Sequence, residues 1–209
     1  MDKRLKVCGM KVPSNIEMVA DLQPDYMGFI FYNGSKRFIA DLSAQFVKDL
    51  PSNIKKTGVF VNEELRIVVE RVLEYGLYAV QLHGNESANY CSQLKALLDI
   101  EVIKAFGIDE QFDFEQLEAY ADSVDYFLFD TQTPDHGGSG RTFNWELLQK
   151  YVLDKPYFLS GGIDLESIDE INRIKDVRFY AIDINSKFEL EPGLKDIDKL
   201  IDFKNMLSY

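Results

Sequence analysis

The sequence predicts an α/β fold, a closed (β/α)8 TIM barrel built as one domain over residues 1–209. Three observations lead there. Eight short apolar runs, rich in β-branched and aromatic residues, alternate with longer amphipathic stretches, the pattern of βαβ units and a parallel sheet. Eight units in this length leave about 26 residues for each, enough for a strand, a helix and short loops. No G-x-G-x-x-G follows the first run, which weakens the open, doubly wound alternative.

The strands are read in order as LKVCGM from Leu5, YMGFIF from Tyr26, TGVFV from Thr57 and YAVQLH from Tyr78. They continue with EVIKAFGI from Glu101, YFLFDT from Tyr126, YFLSGG from Tyr157 and FYAIDIN from Phe179. Between the third and fourth, EELRIVVERVLEYG sets Leu65, Val68, Val69 and Val72 at i, i+3, i+4 and i+7, one face of a helix. ESANYCSQLKALL after the fourth strand and NWELLQKYV after the sixth read as helices too, and a last helix runs near Asp196 to Leu207. No Pro-, Gly- or Ser-rich linker and no low-complexity tract marks a domain break.

In a barrel, alternate strand residues point inward and chemistry gathers at the carboxyl ends of the strands. Polar residues stand at several of those ends: Cys8 on the first, Gln81 and His83 on the fourth, Asp130 on the sixth and Asp183 on the eighth. Gln81 and His83 share parity and face the same way. Each has a structural alternative. A cysteine in an apolar strand is usually a small core residue. Asp130 follows YFLF, where an unpaired carboxylate costs several kcal/mol to bury, so it either serves a site or braces the next loop. His83 precedes Gly84 and suits a turn. Asp183 suits a strand-end brace. Lys104, within the fifth strand, either snorkels or pairs with an acid, and Cys91 falls in a helix.

Gly161 and Gly162 follow the seventh strand and precede a helix expected near Asp164 or Leu165. Backbone N–H groups there, unobstructed by a Cβ, suit an anion. The loops after strands seven and eight of such barrels frequently hold phosphate, and Ser186 and Lys187 follow the eighth. After the sixth strand, TQTPDHGGSGRTFNW is long and polar, with Gly137, Gly138 and Gly140 close together. It reads as a surface loop or as a lid over a substrate. Arg37, after the second strand, is either a surface arginine or a bidentate clamp for a carboxylate.

Composition narrows the classes of function. Lys and Arg number 23 against 35 Asp and Glu, a net charge of −12. That disfavours nucleic acid and anionic membranes, which select a basic face. Two cysteines and two histidines without metal-site spacing predict no metal. The start, MDKRLKVCGM, lacks the apolar run of a signal peptide, and no stretch approaches a membrane span. The expectation is a soluble, cytoplasmic protein, monomer or homodimer.

The segments KVCGM, GFIFYNGSKRF, GVFVN, VQLHGNES, FDT followed by GGSGRTFNW, LSGGI and DINSKFELEPGLKD lie in order over nearly the whole chain. In this the chain resembles the phosphoribosylanthranilate isomerase family of tryptophan biosynthesis. The resemblance implies a (β/α)8 barrel without metal or organic cofactor that acts on a small anionic substrate. The implied reaction is the Amadori rearrangement of N-(5-phosphoribosyl)anthranilate. It also implies Cys8 as general base, Asp130 as general acid, Arg37 on the anthranilate carboxylate, and phosphate on Gly161, Gly162, Ser186 and neighbouring backbone. Gln81, His83 and Asp183 join as substrate-binding candidates, and Lys187 as a phosphate-binding one.

Two departures stand out. The family's second loop usually reads Ser-Pro-Arg, where this chain has Ser35-Lys36-Arg37. The loop after strand eight usually has glycine where this chain has Lys187, whose side chain either crowds a backbone nest or adds a charge to it. Two alternatives stay open: another sugar-phosphate isomerase or epimerase barrel, and an inactive barrel used as a binding subunit. Against the first, a histidine-pathway isomerase would want aspartate where Cys8 stands. A metal-dependent epimerase would want more histidines than His83 and His136.

Overall fold

The computed structural model describes residues 3–132 and 142–207. Eight strands close in chain order: β1 (Arg4–Val7), β2 (Tyr26–Ile30), β3 (Lys55–Phe60), β4 (Ala79–Leu82), β5 (Glu101–Ile108), β6 (Tyr126–Thr131), β7 (Tyr157–Leu159) and β8 (Phe179–Ile184). All neighbours are parallel, and β1 seals the barrel against β8 with Lys6 opposite Asp183. The expected (β/α)8 barrel is what forms.

Strand alternation sorts the side chains into two layers. Val80 and Leu82, Phe127 and Phe129 point outward into the large core beneath the helices. Ala79, Ile103, Ala105, Leu128, Phe158 and Ala181 fill the barrel interior. Continuing each inward row toward the carboxyl end gives the site: Ala79 leads to Gln81, Leu128 to Asp130, and Ala181 to Asp183. The inner layer is sealed at its base by the rings of Tyr26, Tyr126, Phe158 and Tyr180. The site therefore sits on a packed floor, open at one end.

The helices are α1 (Pro13–Asp21), α2 (Ala44–Lys48), α3 (Leu65–Tyr75), α4 (Ala88–Leu97), α5 (Ile168–Arg173) and α6 (Ile197–Met206). Their ends carry recognisable signals. Pro13 opens α1, Ser87 caps α4 by accepting from Tyr90 N–H, and Gly76 closes α3 in the left-handed region. The segment NWELLQKYV differs from its expected helix. It forms a 3-10 helix over Trp145–Lys150, capped by Asn144. The tighter i→i+3 bonds suit this short connector. A further difference follows β8. DINSKFELEPGLKD is not only loop: β9 (Glu189–Glu191) and β10 (Leu194–Lys195) pair as a small antiparallel hairpin. Among the described residues no helix is long and apolar enough to cross a membrane.

Candidate active site

A cavity of about 700 Å³ opens at the carboxyl ends of the strands. Its wall includes Cys8, Arg37, Gln81, His83, Asp130 and Asp183, together with Gly161, Gly162, Ser186 and Lys187. These ten positions come from six different strand ends, and barrel closure brings them to one surface. Gly137, Gly138 and Gly140 lie outside the described residues. Lys104 lines a neighbouring cavity of about 370 Å³ that shares His83 and Asp130.

Asp130 ends the inward row of β6. Its Oδ1 accepts from Thr131 N–H at 2.8 Å, and its Oδ2 lies 3.3 Å from His83 Nε2. Gln81 Nε2 sits 2.7 Å from His83 Nδ1. With the amide in this orientation, Gln81 donates to Nδ1 and the ring proton faces Asp130. Gln81 Oε1 is buried and has no hydrogen-bond partner among the described residues. Turning the amide would offer Oε1 to an Nδ1–H, so Gln81 has an orientation for either tautomer of His83.

The turn after β7 comes close to the same carboxylate. Gly161 has φ +90°, and a Cβ built on it would lie 2.8 Å from Asp130 Oδ1 and 2.6 Å from Thr131 N. Both the backbone conformation and the space exclude a side chain there. The helix expected after this turn begins as a 3-10 turn, Leu165–Ser167. Asp164 already accepts from Glu166 N–H and completes a capping box with Ser167. The N–H groups left to face an anion are those of the loop itself.

Cys8 stands just beyond β1, buried among Ile30, Val59 and Tyr32. Of its charged neighbours, Asp183 was expected from the sequence and Lys6 was not. Lys6, two residues earlier on the same inward row, is fully buried and donates to Asp183 Oδ1 at 2.8 Å. Asp183 Oδ2 accepts from Ser160 Oγ at 3.0 Å. Asp183 is thus both a brace and part of the cavity wall. Burial pushes the Cys8 thiol above its ordinary value and prevails; the Lys6 and Lys195 ammonium groups pull it back down, and Asp183 opposes them. Burial pushes Lys6 down, but Asp183 and Cys8 together hold it above its ordinary value.

Arg37 does form a bidentate clamp, and the carboxylate it holds belongs to the chain. Nε donates to Glu189 Oε1 at 2.9 Å and Nη2 to Oε2 at 2.6 Å. Glu189 occupies the Nε–Nη2 edge, and Nη1 has no hydrogen-bond partner among the described residues. Ser35 Oγ accepts from Arg37 N–H at 3.1 Å, a side-chain turn that restrains the backbone where proline is absent. Gly9, with φ +76°, lets this arginine approach: a Cβ there would lie 2.6 Å from Arg37 Cδ and 2.5 Å from Asn185 Oδ1. Lys187 is exposed at the cavity rim, and its carbonyl accepts from Lys199 Nζ at 2.6 Å.

Lys104 pairs with an acid, as one of its two expected roles has it. Its ammonium is 3.4 Å from Glu86 Oε2 and donates to Gly84 O at 2.8 Å and Ala105 O at 3.0 Å. Glu86 accepts from the N–H groups of Asn62 and Gly84. This buried pair fixes the loop that follows His83.

Lys6, Glu189 and Lys195 were missed from the sequence. Lys6 had a readable signal, a lysine of inward parity in an apolar strand. Glu189 and Lys195 had none, because each sits in a polar segment that reads as surface.

Fold and site define the class: a (β/α)8 barrel with a buried thiol and a carboxylate on the wall of one cavity at the carboxyl ends of its strands. A sequence model of the N-(5′-phosphoribosyl)anthranilate isomerase family matches residues 5–206. The N-(5′-phosphoribosyl)anthranilate isomerase of Parabacteroides distasonis is 46% identical over 201 residues, covering 95% of this chain and 90% of that one. The crystal structure of phosphoribosyl anthranilate isomerase from Thermotoga maritima matches with a TM-score of 0.87 at 35% identity, covering 98% of both chains. A phosphoribosyl anthranilate isomerase solved with reduced 1-(o-carboxyphenylamino)-1-deoxyribulose 5-phosphate matches with a TM-score of 0.81 at 31% identity, covering 96% of each. The chain belongs to the N-(5′-phosphoribosyl)anthranilate isomerase family.

Proposed function

We propose that this chain, acting as one barrel domain, converts N-(5-phosphoribosyl)anthranilate to 1-(2-carboxyphenylamino)-1-deoxyribulose 5-phosphate in tryptophan biosynthesis. The observation that carries the proposal is the shared cavity, whose wall joins Cys8 and Asp130 to Arg37 and to the loops after β7 and β8.

The substrate begins as a closed ribofuranosylamine. Asp130 protonates the ring oxygen, the C1′–O bond breaks and a Schiff base forms. The Cys8 thiolate then takes the C2′ proton to give the enolamine, which tautomerises to the ketone. The free side of Arg37 takes the anthranilate carboxylate. The backbone of Gly161, Gly162 and Ser186 receives the phosphate, with the Lys187 ammonium at the rim. Gln81, His83 and Asp183 contact or orient the sugar.

The test is the fluorescence of freshly made phosphoribosylanthranilate with wild type, Cys8→Ala and Asp130→Ala. Enzyme-dependent loss of signal without anthranilate release, nearly abolished in both variants, is expected. A folded but inactive wild type would overturn the function, and activity in one variant would overturn that residue's role.

A further inference from the structure

Lys195 is the least expected charge in the molecule. It lies on β10, outside the barrel, yet its side chain is 0% exposed. Asn15 of α1 pins its backbone at both ends: Oδ1 accepts from Lys195 N–H at 2.7 Å, and Nδ2 donates to Lys195 O at 2.9 Å. The ammonium donates to Glu189 Oε1 at 2.7 Å, Asn185 Oδ1 at 2.7 Å and Asn185 O at 3.3 Å. All three hydrogens have acceptors. Glu189 in turn is shared with Arg37. A buried lysine restrained this fully is costly unless its charge has a use.

Asn185 Oδ1, which accepts from the Lys195 ammonium at 2.7 Å, lies 2.5 Å from where a Cβ on Gly9 would stand, and Arg37 Cδ lies 2.6 Å from the same point, so the hairpin's charges are set against the residue next to Cys8. Lys6 is on β1, Asp183 on β8, Arg37 after β2, and Glu189 and Lys195 on the β9–β10 hairpin. Tyr32 packs beside the thiol, and His83 and Asp130 stand elsewhere on the cavity wall. Near Cys8, three cations face two carboxylates. One positive charge is left over, and a thiolate at Cys8 would balance it.

We propose that Lys195 is a positioning residue for Cys8: with Lys6, it supplies the buried positive charge against which the Cys8 thiolate forms. Burial pushes the Lys195 ammonium down to about 8 against the pull of Glu189, and its three acceptors are the complement of a charged ammonium. It lowers the cost of the thiolate, as Lys6 does. The hairpin is then part of the catalytic apparatus, because it delivers this charge to a strand end it does not join.

The proposal rests on Cys8 as the general base, and its test needs no substrate. Iodoacetamide alkylation of Cys8 is followed across pH by peptide mass spectrometry, which resolves it from Cys91. Lys195→Met is expected to alkylate about tenfold more slowly near neutral pH, the equivalent of one unit in the thiol's ionisation. Glu189→Gln removes a negative charge and is expected to alkylate faster than wild type. A merely structural role would move both variants the same way. An unchanged profile in folded Lys195→Met, or slowing in Glu189→Gln, overturns the proposal. If Lys195→Met does not fold, the pH midpoint of Cys8 alkylation in Glu189→Gln decides: a midpoint below that of wild type supports the proposal, and an unchanged or higher midpoint, whatever the rate, overturns it. A wild type inactive on phosphoribosylanthranilate with both opposite shifts intact would sink the isomerase reading and leave the charge relation standing.

Discussion

His83 Nε2 lies 3.3 Å from Asp130 Oδ2, while Gln81 Nε2 holds the opposite ring nitrogen at 2.7 Å. A histidine gripped on both sides fixes where the carboxylate points. His83→Ala is expected to lower kcat roughly 10–100-fold, the cost of misplacing a catalytic group by about 1 Å, with less change in KM. Steady-state kinetics checks this, and Cys8 alkylation should remain as in wild type.

Gly161 permits the close passage of the β7 turn over Asp130. Gly161→Ala must accommodate a positive φ and a contact with Thr131 Oγ1 that no Cβ tolerates. A destabilisation of about 1–3 kcal/mol is expected, together with loss of activity, because the carboxylate must move. Urea unfolding and kcat measure the two effects separately.

Arg37 serves Glu189 with one edge and, in the proposed function, the substrate carboxylate with another. Lysine can reproduce a charge but not a fork. Arg37→Lys is expected to raise KM more than it lowers kcat. A compound lacking the anthranilate carboxylate should lose most of the difference between the two proteins.

Glu189 has a pH signature. Burial pushes its carboxyl up, but Arg37 and Lys195 outweigh burial and hold it below the ordinary 4.5. The stability it contributes is therefore present above pH 4.5 and is lost as pH falls through its lower folded value. Glu189→Gln should be less stable than wild type at neutral pH and lose less stability on acidification. Denaturant titrations at a series of pH values would show the two curves converging at low pH.

Lys104 and Glu86 form a buried pair beneath the loop after β4. Lys104→Met leaves Glu86 unpaired in the interior, and about 3–5 kcal/mol of destabilisation is expected. The double variant Lys104→Met with Glu86→Gln should recover part of it, because no lone charge remains. Unfolding of both variants by urea provides the comparison.

The barrel was legible because its signal is local. Each strand announces itself by apolar, β-branched composition, and inward parity carries Ala79 to Gln81 and Leu128 to Asp130 without knowledge of the partner strands. Cys8, Asp130 and the Gly161-Gly162 turn could be singled out for the same reason: each sits at the end of a readable run. The short connection over Trp145–Lys150 was misread as an α-helix because periodicity does not separate α from 3-10 over six residues.

The sequence by itself determined the number and order of the barrel strands and which polar residues crown them, since alternation and punctuation act within a few residues. Only the tertiary structure decided which charges meet. Lys6 and Asp183 are 177 positions apart, and Arg37 and Glu189 are 152 apart. No local pattern links such pairs. Barrel closure joins the first strand to the last, and the hairpin after β8 folds back over that seam, so groups that read as surface charges become a buried network around Cys8. The physical reason is that secondary structure follows from near-neighbour periodicity, whereas electrostatic partnership follows from burial and distance in the closed barrel.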